Sequence, residues 1–481
     1  MKNALIIGAG VSGLATAIRL AAAGWAVEVH EAAEGPGGKM GSLEQDGFRW
    51  DTGPSLFTWP ALAEELFHSA GRSLSEYIPL RRLSLITRYR FADGTLVDAP
   101  SEAEAFATAL ERQCGEPVRN TLNYLDDCRR LFELTRPVFL EHPPGIGRIF
   151  SKDYLQAYPH LYRLRAWTSL HRHHARVFHT PQAMQLFDRY ATYSGSNPYS
   201  APATLRVIAH LEHNEGAYFP EQGMYGFARG LYRLGQELGV SYHFNSRALR
   251  LVERSGRIAG VETTRGYREA GVVVSSADVS GPEGFSRKDP LPPERLSSSA
   301  IIFFLGLNKS YPGLDLHNMF FSADYQNEFR QMFSELNLAP DMSIYVFVSS
   351  KLVPSDAPPG HENWFVMVNA PPDAGQDWGR LAAESRERIL DKLEQSLGQP
   401  IRPHIVSEAR LLPTDLATTS GAWRGALYGP NGNRAMSAFH RHPVQGRRKN
   451  LFHTGGSVHP GGGIPLCLLS ARIATAKILS L

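Results

Sequence analysis

A chain of 481 residues with 43% hydrophobic residues is long enough to form two or three packed regions around one large buried site. Its formal net charge of +3 is too balanced over this length to indicate a nucleic-acid-binding protein. The three cysteines, Cys114, Cys128 and Cys467, form no CxxC pair, which predicts neither a disulfide framework nor a zinc site and favours a cytoplasmic protein.

The first 31 residues predict a β-α-β unit. In ALIIGAGVSGLATAIRLAAAGWAVEVHE, a buried strand over residues 4–7 precedes a glycine turn and a helix that reaches about residue 23. Gly24 stops the helix, and a second strand ends at Glu31. This arrangement is typical of an α/β fold with a Rossmann-like dinucleotide-binding domain.

The turn of this unit has the glycine spacing of a dinucleotide-binding loop. Gly8 permits the tight turn, Gly10 lets the backbone approach a pyrophosphate, and Gly13 lets the helix pack closely against the sheet. The helix N-terminus offers free N–H groups and partial positive charge to the phosphates, and we expect Ser12 to contact them as well. Glu31 is placed to accept hydrogen bonds from a ribose diol.

A second glycine pair favours FAD over a nicotinamide cofactor. The stretch EGPGGKM follows the expected ribose acid directly, and FAD must be held along its ribityl arm as well as at its adenosine. Gly37 and Gly38 allow close backbone approach there, and Lys39 can supply charge to the pyrophosphate. The sequence therefore predicts an FAD site.

Several longer motifs occur in the order seen in one enzyme family. They are EGPGGKM, GFRWDTGPSLF, YFPEQGMYGFARGLYRLGQELG, VVVSSADV and GGSVHPGGGIPLCLLSA. With them the chain resembles the phytoene desaturase-type carotenoid desaturases of bacteria, flavoproteins related in fold to amine oxidases. The resemblance covers nearly the whole chain and implies FAD-dependent removal of hydrogen from a long polyene, with oxygen or a quinone as electron acceptor.

Three further stretches resemble one branch of that family, the 1-hydroxycarotenoid 3,4-desaturases: SGSNPYSAPATLRVIAHLEHNEGAYFP, LDLHNMFFSADYQNEF and APPGHENWFVMVNAPPDAGQDW. This resemblance implies that two hydrogens leave a hydroxylated acyclic end, a hydride to flavin N5 and a proton from the neighbouring carbon. Phytoene or diapophytoene desaturation is the main alternative. Carotenoid isomerisation, amine or protoporphyrinogen oxidation and noncatalytic lipid binding are the others.

The resemblance also assigns further residues to the FAD site. The family fold returns its last segment to the dinucleotide domain, where the helix after GGSVHPGGGIP points its N-terminus at the flavin and His459 lies near it. Pro465 suits the first turn of that helix because its missing N–H is not required there. The expected FAD contacts outside the N-terminal unit are Pro54, Ser55, Leu56, Ala248, Gly455, Gly456, Gly463, Ile464 and Pro465.

The proton acceptor has no motif of its own. FSKDYL lies where the family carries a basic and acidic pair, which makes Lys152 and Asp153 the candidate catalytic residues, although Asp153 also fits an exposed helix start. Asp51 is a second candidate, and an acid that forms a turn beside the flavin is the alternative reading of it. We expect no metal site: the histidines at 171, 173 and 174 have no accompanying carboxylate in sequence and are expected at the surface.

Residues 129–189 indicate contact with a membrane surface. They interleave aromatic and aliphatic residues with ten Lys or Arg against four Asp or Glu. Because no stretch approaches the roughly 18 apolar residues of a spanning helix, we expect a cytoplasmic protein associated peripherally with lipid. A basic helical cap on the core is the alternative.

The predicted domains are discontinuous. An FAD-binding domain, similar to those of amine oxidases and glutathione reductase, is expected to combine residues 1–75, 222–290 and 420–481. Residues 76–221 and 291–419 are expected to form a mixed α+β substrate-binding region with a helical, membrane-associating part.

Overall fold

A computed structural model describes residues 2–142, 150–282, 285, 289–446 and 448–481. Within these ranges, no helix is both long and apolar enough to cross a lipid bilayer. Residues 143–149 of the predicted segment 129–189, and residues 283, 284 and 286–288 of the predicted segment 222–290, lie outside the described part of the chain.

The described part of the chain contains both β-strands and α-helices. The strands are β1 (Asn3–Ile7), β2 (Ala26–His30), β3 (Ser42–Gln45), β4 (Phe48–Asp51), β5 (Phe57–Thr58), β6 (Leu80–Arg82), β7 (Leu85–Arg90), β8 (Leu96–Pro100), β9 (Ala217–Pro220), β10 (Ser241–His243), β11 (Ala248–Arg254), β12 (Arg257–Thr263), β13 (Gly266–Glu269), β14 (Val272–Ser275), β15 (Ser299–Leu307), β16 (His317–Phe320), β17 (Ile344–Phe347), β18 (Glu362–Ala370), β19 (Ile405–Leu411) and β20 (Leu451–His453). The helices are α1 (Val11–Ala22), α2 (Ala61–Ser69), α3 (Leu74–Tyr77), α4 (Ala103–Cys114), α5 (Val118–Thr135), α6 (Lys152–Ala157), α7 (Leu170–Val177), α8 (Pro181–Asp188), α9 (Val207–His213), α10 (Met224–Glu237), α11 (Tyr325–Phe333), α12 (Trp378–Leu397), α13 (Pro413–Ser420) and α14 (Ile464–Leu479).

A five-stranded parallel sheet contains the predicted β-α-β unit. Its order is β10-β2-β1-β14-β20, and every neighbouring pair is parallel. The continuous apolar run of β14 is buried along its whole length, as expected for a parallel strand covered on both faces. Helix α1 packs against α10 and α14, so the last helix of the chain covers the first one. The predicted α/β fold class is confirmed.

A seven-stranded sheet in the order β19-β15-β18-β17-β16-β7-β8 forms the other large layer. Its pairs are antiparallel except for β16 and β7, which run parallel. One face packs on α12 through a core that includes Trp364 and Leu393. The opposite face contributes Phe304 and Phe365 to the same core as β1 and α1, which places this sheet beside the dinucleotide-binding layer.

The two sheets draw on different parts of the sequence. All strands of the parallel sheet come from residues 1–75, 222–290 and 420–481, whereas all strands of the seven-stranded sheet come from 76–221 and 291–419. The division into an FAD-binding domain and a substrate-binding region stays a prediction that this strand distribution matches.

Candidate active site

A cavity of about 500 Å³ extends from the carboxyl ends of β1 and β14 to the face of the seven-stranded sheet. At one end it is lined by the glycine loop after β1 and by the start of α14. At the other end it is lined by side chains of β7, β15, β16, β17 and β18. A cavity at the carboxyl ends of parallel strands is where α/β folds bind their ligands.

The glycine loop after β1 has the geometry that its spacing predicts. Gly8 has a φ of +96°, and a Cβ there would lie 2.6 Å from Ser276 Oγ. A Cβ on Gly13 would lie 2.0 Å from the carbonyl oxygen of Gly8, so only glycine lets α1 pack this closely. A Cβ on Gly10, in contrast, would meet no atom within 4 Å. The loop is therefore closed towards the sheet and open towards the cavity.

Glu31 lies beside this loop at the end of β2. Its carboxylate accepts the backbone N–H of Ala9 at 2.6 Å and that of Ala33 at 2.8 Å, one on each oxygen. A carboxylate oxygen has more than one lone pair, so both oxygens retain capacity for further donors such as a ribose diol. Glu31 and Ala248 line the cavity together, as predicted for the adenosine end.

The second glycine pair lies directly against the first loop. Gly37, with a φ of +124°, donates its N–H to the Ala9 carbonyl at 2.9 Å, and a Cβ on Gly38 would lie 3.2 Å from Gly10 Cα. Lys39 lines the cavity, but its Nζ also donates to the Leu427 carbonyl at 2.6 Å. Burial lowers the pKa of Lys39, and the charge of Asp278 raises it. Lys39 thus links the loop of Gly37 and Gly38 to the segment around Leu427, and it also lines the cavity.

The C-terminal loop and α14 close the same end of the cavity. Helix α14 begins after Gly463 with Pro465 in its first turn, as predicted. A Cβ on Gly463 would meet no atom within 4 Å, and one on Gly455 would lie 3.3 Å from Ser12 Oγ. The N-termini of α1 and α14 therefore both face the cavity, with open glycine backbone in front of each.

These residues fit an FAD molecule. Two helix N-termini and two open glycines offer N–H groups to anionic parts of the cofactor, and Glu31 offers an acceptor. With the exception of Gly13, every predicted FAD contact lines the cavity, including Pro54, Ser55 and Leu56. The individual contacts stay predictions, whereas Gly13 has the packing role expected of it.

The model of the family described as flavin containing amine oxidoreductase matches residues 11–479. The chain belongs to this family. Its members' cofactor is the one that the glycine loops predict, so the protein is an FAD-dependent oxidoreductase and the prediction of FAD is confirmed.

Curated relatives extend over the full chain. A 1-hydroxycarotenoid 3,4-desaturase of Flavobacterium sp. (strain P99-3) is 38% identical over 100% of this chain and 99% of that protein. A 4,4'-diapolycopene oxygenase of Methylomonas sp is 29% identical over 100% of this chain and 98% of that protein. A 4,4'-diaponeurosporene oxygenase of Staphylococcus aureus (strain MSSA476) is 30% identical over 99% and 98%. The resemblance to carotenoid desaturases found in the sequence is confirmed.

Solved structures share the fold of this flavin oxidoreductase. A triple mutant of putrescine oxidase has a TM-score of 0.66 at 15% identity and covers 100% of this chain and 99% of that chain. An oxidoreductase of Methanosarcina mazei has a TM-score of 0.61 at 15% identity and covers 100% of both chains. At this identity the likeness establishes the architecture alone.

His459, which was expected near the flavin, makes its contacts outside the cavity. It is buried, its ring contacts Phe139 edge-on at 4.9 Å, and its Nε2 lies 3.2 Å from the His142 carbonyl. It is absent from the residues that line the cavity. Among the described residues, its contacts are thus those of a packing histidine.

The candidate catalytic residues do not meet at the cavity. Lys152 and Asp153 form the first turn of α6, and neither lines the cavity within the described part of the chain. Asp51 is buried and accepts the N–H groups of Met224 and Tyr225, so it caps the start of α10. The assignment of Lys152 and Asp153 stays a prediction, and Asp51 has a structural role.

The expectation of surface histidines at 173 and 174 is wrong. Both are buried, and His174 Nδ1 lies 2.7 Å from Asp188 Oδ1. His171 contacts the other oxygen of the same carboxylate at 2.7 Å. Asp188 ends α8, which packs on α7, so the carboxylate missing from the local sequence arrives from the neighbouring helix.

The sequence reasoning missed the polar residues at the far end of the cavity. Arg189, Tyr193, His317 and Tyr345 line it, and although His317 lies in the stretch LDLHNMFFSADYQNEF, none of them was assigned a role from the sequence. They come from a 3₁₀ turn and from two strands that are adjacent only in the folded sheet. Alternation along β16 and β17 was the only local signal, and it does not say which face meets a cavity.

Buried neutral histidines predict that acid destabilises the enzyme. Burial lowers the pKa to about 3 or about 4 for a set of histidines: His173, His210, His213, His317, His453 and His459. In the unfolded chain these histidines bind protons near pH 6.5, whereas in the folded chain they stay neutral until the pH is much lower. Their contribution to the free energy of unfolding is therefore complete above pH 6.5 and decreases as the pH falls towards 4.

His213→Gln tests this acid dependence. Below pH 6, we expect the slope of unfolding free energy against pH to decrease by about 1.4 kcal/mol per pH unit, since one titrating group is lost. His160→Gln, at an exposed position, is the matched control and should leave the slope unchanged. Denaturant unfolding at a series of pH values measures both, and equal slopes in all three proteins would contradict the prediction.

Proposed function

We propose that this protein is an FAD-dependent carotenoid desaturase that removes two hydrogens from the 1-hydroxylated acyclic end of a carotenoid, at carbons 3 and 4. The observation that carries the proposal is the 38% identity, over the whole chain, with a protein of that name. The cavity supports it, because the dinucleotide end opens into a chamber lined by apolar side chains such as Ile302, Met319 and Phe365.

In this reaction the protein mainly has to align the substrate with the flavin and to exclude water. FAD, when bound, supplies the two-electron oxidant that takes the hydride at N5. The chain holds the allylic carbon against that position and keeps the chamber dry, and a proton leaves the neighbouring carbon. A polyene spreads positive charge over many carbons, so the reaction does not require a catalytic triad, and none is present among the described residues that line the cavity.

Asp153, assisted by Lys152, is the proposed proton acceptor, on the family resemblance. Asp153→Asn is expected to keep FAD and to lose turnover. Full turnover by this variant, with normal FAD content measured from its absorption, would show that the assignment is wrong.

The proposed electron acceptor is oxygen or a quinone, and assays in air and under nitrogen with added quinone distinguish the two.

An exposed apolar patch supports binding to a membrane surface, from which a carotenoid must be drawn. The patch lies between residues 150 and 167 and comprises Phe150, Leu155, Tyr158, Leu161, Tyr162 and Trp167. Trp167 is 84% exposed and Phe150 79%, far more than a soluble surface usually leaves a large apolar side chain. Arg163 and Arg165 lie within the same segment and suit anionic headgroups.

Replacing both Phe150 and Trp167 by serine is expected to weaken binding to anionic vesicles by about tenfold to a hundredfold. The physical reason is the loss of apolar area that the bilayer would cover. Leu249→Ser is the matched control, because Leu249 is 53% exposed on β11, outside the patch. Cosedimentation with vesicles measures the effect, and equal binding of the double variant and the control would contradict it.

The function is tested by incubating the holoenzyme with vesicles that contain either phytoene or a 1-hydroxylated acyclic carotenoid. We expect loss of two hydrogens and a red-shifted absorption with the hydroxylated substrate alone. Conversion of phytoene would favour early-pathway desaturation. An unchanged mass with altered absorption would indicate an isomerase, and peroxide formed from an amine would indicate an amine oxidase.

Oxidation of a non-hydroxylated acyclic end is the second candidate function. It is favoured by full-length similarity of 29% and 30% to the two oxygenases of diapocarotenoids. A gain of oxygen in the product mass would select this function over desaturation.

A further inference from the structure

The seven-stranded sheet lines one side of the cavity, and it presents polar side chains there that a purely hydrocarbon substrate would not need. Met319 of β16 is paired with Tyr89 of β7 on one side and with Tyr345 of β17 on the other. Side chains of paired residues lie on one face of a sheet, and residues two apart share it, so His317 is on this face too. His317, Met319 and Tyr345 all line the cavity.

His317 and Tyr345 belong to a short hydrogen-bonded chain. The Tyr345 hydroxyl lies 2.7 Å from His317 Nδ1 and 2.6 Å from Ser55 Oγ. His317 Nε2 is buried and has no hydrogen-bond partner among the described residues. Burial, aided by the charge of Arg189, lowers the pKa of His317 to about 3, so its ring is neutral at neutral pH.

The polar residues next to His317 and Tyr345 form most of their hydrogen bonds with one another. Arg189 donates to the Tyr89 hydroxyl at 2.7 Å and pairs with Glu212, which also accepts the Tyr190 hydroxyl at 2.7 Å. Tyr193 donates to the second oxygen of Glu212. Arg189 Nε, on a side chain that lines the cavity, is buried and has no partner among the described residues, and the same holds for Nδ1 of His213, which contacts Tyr190 and does not line the cavity. Of these atoms, His317 Nε2 and Arg189 Nε therefore belong to side chains that line the cavity.

A hydroxyl group matches that unmet capacity. A neutral imidazole has one donor and one acceptor nitrogen, and Tyr345 occupies Nδ1. Whichever tautomer is present, a hydroxyl satisfies Nε2, because it both donates and accepts. A buried polar atom left unpaired costs free energy, so binding of an alcohol here is favoured over binding of a hydrocarbon.

The position of the pair suits a hydroxyl close to the reacting carbons. Carbon 1, which carries the alcohol, is separated from carbon 3 by a single carbon atom. The group that binds the alcohol must therefore lie near the flavin. Tyr345 is hydrogen bonded to Ser55, a predicted FAD contact in the loop after β4, so it lies at the boundary between the FAD end and the substrate end of the cavity.

We propose that His317 and Tyr345 form a hydroxyl-binding subsite that recognises the tertiary alcohol at carbon 1 of the acyclic carotenoid end and so determines substrate specificity. This inference rests on the proposed function, since it names the residues that select a hydroxylated end over a plain hydrocarbon end.

The subsite is tested by binding to the reduced holoenzyme, which cannot accept a hydride. Affinities of a 1-hydroxylated carotenoid and of the same polyene without the hydroxyl are measured in detergent micelles by quenching of tryptophan fluorescence. We expect the wild type to prefer the hydroxylated compound. Tyr345→Phe, and separately His317→Phe, should reduce that preference about tenfold, the worth of one buried hydrogen bond, and leave the affinity for the plain polyene unchanged.

Tyr311→Phe is the matched control. It removes a buried hydroxyl that donates to the Pro400 carbonyl and does not line the cavity, so the preference should stay at the wild-type value. FAD content is measured in every variant. Equal binding of both compounds by the wild type, an unchanged preference in both variants, or parallel loss of both affinities would overturn the subsite.

The same series separates the two proposals. If the wild type fails to desaturate the hydroxylated compound but Tyr345→Phe removes its binding preference, the proposed function is wrong and the subsite stands. If the wild type desaturates that compound and its preference survives in both variants, the subsite is wrong and the function stands. In kinetic assays the subsite predicts a tenfold fall in kcat/KM for the hydroxylated substrate alone.

Discussion

Replacing Gly10 by valine is expected to yield a folded protein that does not retain FAD. A Cβ at this position meets no atom within 4 Å, so the protein itself leaves room for the start of a side chain. The added methyl groups instead extend into the cavity, where the pyrophosphate must approach the N-terminus of α1. We expect FAD content below a tenth of the wild-type value, which corresponds to about 1.4 kcal/mol or more of lost binding free energy.

Gly379→Val is the matched control for this experiment. Gly379 lies on the exposed side of α12, and its Cβ would lie 3.5 Å from Asp377 Oδ1, an ordinary contact. The absorption ratio at flavin and protein wavelengths gives FAD content, and circular dichroism gives folding. A Gly10→Val protein that purifies with full FAD would exclude this loop from the cofactor site.

Asp51→Ala is expected to lower the free energy of unfolding by about 3 kcal/mol, the cost of breaking a buried ion pair. The carboxylate accepts the N–H groups of Met224 and Tyr225 at 2.8 and 2.9 Å and binds the Arg49 guanidinium at 2.7 Å. Its removal leaves the first turn of α10 uncapped and Arg49 with Asp356 alone. Helix α10 packs on α1, so the loss reaches the parallel sheet.

Asp98→Ala serves as the comparison for Asp51. Asp98 also pairs with an arginine, Arg88 at 2.7 Å, but its side chain is 39% exposed. A pair open to solvent contributes at most about 1 kcal/mol. Denaturant unfolding followed by circular dichroism measures both variants. Equal losses in the two would show that capping of α10 contributes little.

The FAD end of the cavity was predictable because backbone geometry dictates its residues. Gly13 cannot bear a side chain where α1 meets β1, and Pro465 fits only the first turn of α14. Such constraints act within a few residues of sequence, and they leave motifs. The parallel pairing of β1 with β2 then follows from helix α1, which connects them.

The substrate end was not predictable, because its residues meet through strand register. Tyr345 and His317 are 28 residues apart and belong to strands whose pairing no local pattern reveals. The capping of α10 by Asp51 was not predictable for the same reason, since its partners lie 173 and 174 residues later in the chain. The histidines of α7 were misplaced because Asp188 reaches them from α8.

The packing of α14 on α1 has a consequence for biosynthesis. The ribosome releases β1, α1, β2, β10 and β14 long before it releases β20 and α14. Until then, a nascent chain exposes the apolar side of α1 and one edge of β14, surfaces that chaperones bind and that favour aggregation. If α14 contributes to the FAD site as predicted, stable loading of FAD follows the packing of α14 on α1, so bound flavin reports that these distant segments have come together.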